Sequence, residues 1–126
     1  MAPGPTPAFP GRAAIDAYGN GGFRFAGMSH RGALLFLPAE VRGWTASAAG
    51  DIDLAALGPV IDSAEPIEVL LIGTGAVQTF LSPDVRGALE ARGIVVETMT
   101  TGAAARTYNV LLAEGRAVAA ALLPVE

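Results

Sequence analysis

The 126-residue sequence has no cysteine, and all eight of its basic residues are arginine, so lysine is missing too. Without cysteine there is no disulfide framework, no zinc ribbon, no thiolate-held cluster and no sulfur nucleophile. Without lysine there is no P-loop phosphate lysine, no kinase lysine and no Schiff-base chemistry. His30 is the single histidine, which excludes a three-histidine metal site within one chain. Charge is scarce at 16% of residues and its balance is −4, which lacks the basic footprint of a nucleic-acid-binding protein. No polybasic run is present to hold an anionic membrane surface. Long hydrophobic runs are also missing. The best, Val69–Ile72 and Ala117–Val125, are strand length, far from the roughly 20 residues of a membrane-spanning helix.

What is present is apolar mass: 52% hydrophobic residues, with 16 glycines and 9 prolines as punctuation. The first eleven residues hold four of those prolines and no charged side chain, and lack the basic and apolar segments of a secretory signal. They are expected to be a disordered Pro-rich tail (1–11), followed by a single α/β domain (12–126) in the cytoplasm. Ala13–Tyr18 reads as a strand, Gly19–Gly22 as a turn, and Phe23–Phe25 as a half-buried strand with alternating character. A second turn spans Gly27–Gly32, and strands at Ala33–Leu37 and Val41–Ala46 complete an antiparallel meander over the first 47 residues.

The second half changes period. Asp51 and Asp53 precede Ile52, Leu54, Leu57, Val60 and Ile61, a pattern that predicts a helix with an acidic start, limited by Pro59. Ile67–Ile72 is a buried strand, Ser82–Pro83 caps a helix that stops at Gly93, and Ile94–Met99 is the next strand. Thr101–Gly102 opens a helix to about Glu114, and Arg116–Leu123 is the last strand. Consecutive βαβ units make strands 67–72, 94–99 and 116–123 parallel, giving about three helices in all. The loops at Gly73–Gly75 and Thr100–Gly102 then share one carboxyl edge, where open α/β sheets bind ligands.

The candidate ligand residues follow from that edge: Gly73, Thr74, Gly75, Thr100, Thr101, Arg106 and Asn109. Gly73–Thr74–Gly75 either lets amides approach a phosphate or carboxylate, or is a tight strand exit. Thr101 reads as a helix N-cap, with an anion at the helix start as the alternative. Arg106 and Asn109, three apart on one helical stripe, could clamp an anion, or Arg106 could pair with Glu97, Glu114 or another acid. Tyr108 reads as a core aromatic with a satisfied hydroxyl, and His30 as a solvated turn residue. Asp51, Asp53, Asp62, Glu65 and Glu68 read as caps and solvated loops. No catalytic residue, metal ligand or cofactor is assigned.

The runs Met99–Gly102, Arg106–Asn109, Glu114–Arg116 and Ala119–Leu122, with Leu70–Gly75, Phe23–Phe25, Trp44 and Gly93–Glu97, resemble one known family. It is the family of the mitochondrial NADH dehydrogenase (complex I) assembly factor 3 and its uncharacterised bacterial and archaeal relatives, and the likeness covers roughly residues 12 to 123. It implies a small α/β domain of antiparallel strands plus βαβ elements, a protein partner, and a link to complex I assembly. It also implies a cysteine immediately before Arg106, where this chain has Ala105. The expected function is therefore a non-enzymatic binding or assembly-factor-like role. The alternative is a small-anion-binding protein or enzyme using the carboxyl-edge pocket. Self-association through sheet edges stays open as a third option.

Overall fold

A computed structural model describes residues 9–126. In chain order the first half forms β1 (Phe9–Pro10), β2 (Ala17–Gly19), β3 (Gly22–Phe25), β4 (Met28–Arg31), β5 (Leu34–Phe36) and β6 (Glu40–Gly43). The second half forms α1 (Gly58–Ile61), β7 (Val69–Gly73), α2 (Pro83–Glu90), β8 (Val95–Met99), α3 (Thr101–Ala113) and β9 (Val118–Leu122). Six strands make one mixed sheet in the order β1-β6-β5-β9-β7-β8, and β2-β3-β4 make a second. The fold is the expected single α/β domain with a parallel βαβαβ unit, β7 lying between β8 and β9 in parallel register.

The central strands β5, β7 and β9 are buried on both faces, which is why they read as continuous hydrophobic runs, while β8 at the edge exposes Val95 and Glu97. Leu35, Leu70, Ile72, Val96, Ala119 and Ala121 pack with Val85 and Leu89 of α2 and with Val60 of α1. The alternate residues Leu34, Phe36, Leu71, Val118, Ala120 and Leu122 pack with Ala104, Ala105 and Tyr108 of α3 and with Phe23 and Phe25 of the small sheet. Three layers result: helices α1 and α2, the six-stranded sheet, then α3 beside the small sheet. Phe25 meets Phe36 edge to face and Phe36 meets Tyr108 at a tilt in the second core, with centroid separations of 5.6 and 5.4 Å.

Several expectations for the first half change. Of the expected tail, residues 1–8 lie outside the described residues, while Phe9–Pro10 pairs with Val41 and Glu40. The expected strand at 13–18 shrinks to Ala17–Gly19, because the Ile15 backbone is bonded by the Asn109 side chain instead of a strand. The turn expected at 27–32 is only Ala26–Gly27, both at positive φ (49° and 75°), and Met28–Arg31 is a strand. His30 therefore lies in a strand opposite Phe23 rather than in a turn. The single meander also divides: β2–β4 forms its own sheet, whereas β5 crosses to the large sheet and pairs antiparallel with β9.

The helix expected from Asp51 is replaced by a 3-10 turn at Ala49–Asp51 and the four-residue α1. Both carboxylates bind local backbone rather than open one long helix. Asp51 accepts from the Ser47 amide and hydroxyl and from the Ala48 amide, which hold its carboxyl below the usual range, and Asp53 accepts from the Ala56 amide. Pro59 has no N–H to continue a helix and stands in the first turn of α1.

Candidate functional site

The carboxyl edge forms where expected, with Gly73 opposite both Met99 and Leu122 in the parallel register. Its polar atoms, however, bind one another. The buried Thr101 hydroxyl accepts from the Gly75 amide at 2.9 Å and donates to the Leu123 carbonyl at 2.7 Å. The Thr101 amide returns to the Gly75 carbonyl at 2.9 Å, and the Thr74 amide bonds the Met99 carbonyl at 2.9 Å. The Thr74 hydroxyl donates to Val77 O at 2.8 Å and accepts from the Thr79 amide at 2.9 Å. These bonds stitch the two loops and the chain after β9 into one knot.

The cap of α3 is Thr100, not Thr101: its hydroxyl accepts from the Ala103 amide, and Thr101 is already helical. Thr101 is freed for the loop-to-loop stitch because the preceding threonine takes the cap. Gly73 has no room for a side chain, since a Cβ there would stand 2.8 Å from Thr101 Cα and 2.9 Å from Leu122 Cδ2. Close packing of α3 on β7 thus explains this glycine without a ligand. Gly75 adopts φ +90°, the turn requirement expected at a strand exit. Over the first turn of α3 lies the Tyr18 hydroxyl, packed against Gly102.

Arg106 and Asn109 stand apart from this knot. They line a groove of about 490 Å³ between α3 and the segment entering β2, with Asp16, Tyr18 and Ala105. The Asn109 amide is engaged on both sides, donating to Ile15 O and accepting from Ile15 N at 2.8 Å each. It acts as a surrogate strand neighbour for Ile15. The Arg106 side chain is exposed, and among the described residues it has no carboxylate within 4.0 Å, neither Glu97 nor Glu114. Ala105 is buried against the second core.

Tyr108 is core, as expected, but its hydroxyl is not satisfied: the buried oxygen has no hydrogen-bond partner. Burial pushes its pKa from 10.0 up to about 12, with Arg12 acting weakly in the opposite direction. Among the described residues no three His, Asp or Glu side chains gather to hold a metal ion.

One surface feature was not singled out from the sequence. The loop between β7 and α2 exposes Val77 (72%) and Phe80 (79%). Val77, Phe80 and Leu81, large apolar residues in the connection just before the Ser82–Pro83 cap, are the signal that marks it.

Comparison with known proteins bears on these features. A family described as a protein of unknown function (DUF498/DUF598) matches residues 15–123. An uncharacterized protein of Rhodobacter capsulatus is 47% identical over 94% of the chain and 90% of its own length. The NADH dehydrogenase (ubiquinone) 1 alpha subcomplex assembly factor 3 of Mus musculus is 35% identical over 92% of the chain. The chain spans 63% of that mouse protein. A solved structure from Bartonella henselae, described as an outer membrane protein, is 51% identical with a TM-score of 0.89, covering 94% of the chain and 99% of its own. Among the described residues no helix is long and apolar enough to cross a membrane.

Proposed function

The chain belongs to the DUF498/DUF598 family, and we propose that it is a non-enzymatic binding protein of the assembly-factor kind, which recognises a partner polypeptide through its surface. The observation that carries this reading is a carboxyl edge whose polar groups bond to one another. Where an α/β protein with a small-molecule ligand opens a crevice, the Thr74 and Thr101 hydroxyls and the Gly75 amide are bonded within the chain. The similarity to a complex I assembly factor over most of the domain supports a protein as the partner, and a respiratory complex in assembly as its setting. A cytoplasmic location belongs to the same proposal, and cell fractionation tests it directly.

The test of the main reading is recovery of the tagged chain from its native cells after crosslinking. A reproducible polypeptide partner, with subunits of a respiratory complex enriched, is the expected result. Recovery of no partner over repeated preparations sinks it. A second reading, small-anion binding, keeps one observation in its favour: the Arg106 guanidinium on the groove wall, free of carboxylates within 4.0 Å among the described residues. A thermal-shift screen of anionic metabolites against the chain and its Arg106→Ala variant decides it. A shift present in the parent and lost in the variant supports that reading, and no shift in the parent removes it.

A further inference from the structure

We propose that the β7–α2 loop is a preformed docking knob for an apolar pocket edged by arginine or lysine on a partner polypeptide. The proposal rests on the partner-binding reading above and names the surface that reading leaves open. Val77 and Phe80 are 72% and 79% exposed, more than any other large apolar residue described. Solvent-facing apolar side chains are common singly, but here two stand three residues apart on one constrained loop.

The loop is held by three hydrogen bonds to two anchors. The Thr74 hydroxyl donates to the Val77 carbonyl and accepts from the Thr79 amide, so the backbone on either side of Gln78 is tied to one oxygen. Between them, the Gln78 side chain donates to the Thr98 carbonyl of β8 at 2.9 Å. Val77 and Phe80 are therefore presented on a fixed frame, and a partner that buries them has little loop entropy left to remove. A hollow of about 230 Å³ beside Phe80, floored by Ala49, Gly50 and Ile52, adds a complementary recess.

Charge selects the occupant. Two carboxylates stand close in the chain to residues that line the hollow, whereas Glu68, at the far end of β7, is paired with Arg116. Asp51 stands between two residues of the hollow, its carboxylate fixed by three donors, and Asp84 lies exposed in the first turn of α2. The nearest arginine along the chain, Arg86, is turned to the Val96 carbonyl and toward Glu90. An apolar knob framed by carboxylates favours a basic-rimmed pocket and repels both an anionic bilayer and another acidic surface.

The experiment places a benzophenone-bearing phenylalanine analogue at Phe80 of the full chain in its native cells, with the same analogue at Val110 on α3 as control. The expected result is one reproducible crosslinked polypeptide from position 80 only, with the crosslink mapped to an apolar segment flanked by arginine or lysine. With that polypeptide purified, Phe80→Ser and Asp84→Arg should each weaken binding by about tenfold or more, as centrally placed contacts do. Val110→Ser should leave the affinity unchanged; Phe80→Ser and Val110→Ser should keep the parent melting temperature, and Asp84→Arg should lower it by only a few degrees, through the lost carboxylate at the start of α2. The proposal is overturned by crosslinks from position 80 only to lipid, to other copies of this chain, or to nothing. If position 110 or another surface then yields the partner, partner binding stands and the knob alone fails. If no position yields a polypeptide, the proposed function fails with it.

Discussion

The Thr101 hydroxyl works as a three-way junction in a site closed to water, joining the β7 exit, the start of α3 and the chain after β9. Thr101→Val keeps the shape but leaves the Gly75 amide and the Leu123 carbonyl without it, and should cost about 2–4 kcal/mol. Thr101→Ser keeps the oxygen and should cost less than half as much, both read from urea denaturation midpoints. Tyr108 presents the opposite case, a buried hydroxyl with no partner. Tyr108→Phe should be neutral or stabilising by up to about 1 kcal/mol, because no bond is lost and a desolvated polar group is removed. Its raised pKa also sets a pH dependence. Below pH 10 the folded and unfolded phenols are both protonated and this contribution to stability is fully present. Between 10 and about 12 the unfolded chain ionises first, so stability falls as pH rises across that window. Comparing alkaline melts of the parent and Tyr108→Phe isolates this component, which should vanish in the variant.

Asn109 shows how a helix can replace a strand. Its amide meets both backbone groups of Ile15, holding the approach to β2 against α3 without sheet pairing. Asn109→Ala should therefore cost about 1–3 kcal/mol and accelerate hydrogen exchange at the Ile15 amide far more than at Leu71. The open edge of the large sheet is managed by side chains as well. β8 pairs with β7 through alternate residues, and the outward carbonyls of Val96 and Thr98 accept from Arg86 at 2.8 Å and Gln78 at 2.9 Å. Charged and polar caps of this kind block strand addition. Replacing both, Arg86→Ala with Gln78→Ala, should increase self-association in sedimentation velocity across a concentration series. Equal behaviour of parent and double variant would show that the caps do not guard this edge.

The layered architecture predicts an order of opening. The strands β7 and β9 lie inside the large sheet with both faces covered, whereas β2 and β4 are edges of a separate three-stranded sheet. In native-state hydrogen exchange the amides of Leu70–Ile72 and Ala119–Ala121 should exchange slowest, through global unfolding, and those of the small sheet faster, through its local opening. Charge is divided along the same lines. Residues 17–39 carry Arg24 and Arg31 and no acid, while residues 43–85 carry acids and no base. The net charge of −4 is thus the sum of unlike stretches of the chain.

Apolar runs and glycine breaks were enough to read the βαβαβ unit, its parallel strands and the meeting of the Gly73–Gly75 and Thr100–Gly102 loops. Those features depend on local period and on chain connectivity, which are written in the order of residues. The missing cysteine and lysine likewise exclude their chemistries in any fold. What needed the folded chain was the use to which polar atoms are put. Thr74, Gly75 and Thr101 offered the same groups to a ligand or to one another, and the choice turned on contacts 22 to 26 residues apart in the chain. Met28–Arg31 pairs as a strand although its residues are largely polar, because its neighbour β3 supplies the bonds and the buried phenylalanines. Arg106 and Asn109 share a helical stripe by spacing alone. Only the approach of Ile15 from 94 residues away consumes one amide and leaves the guanidinium exposed on the groove wall.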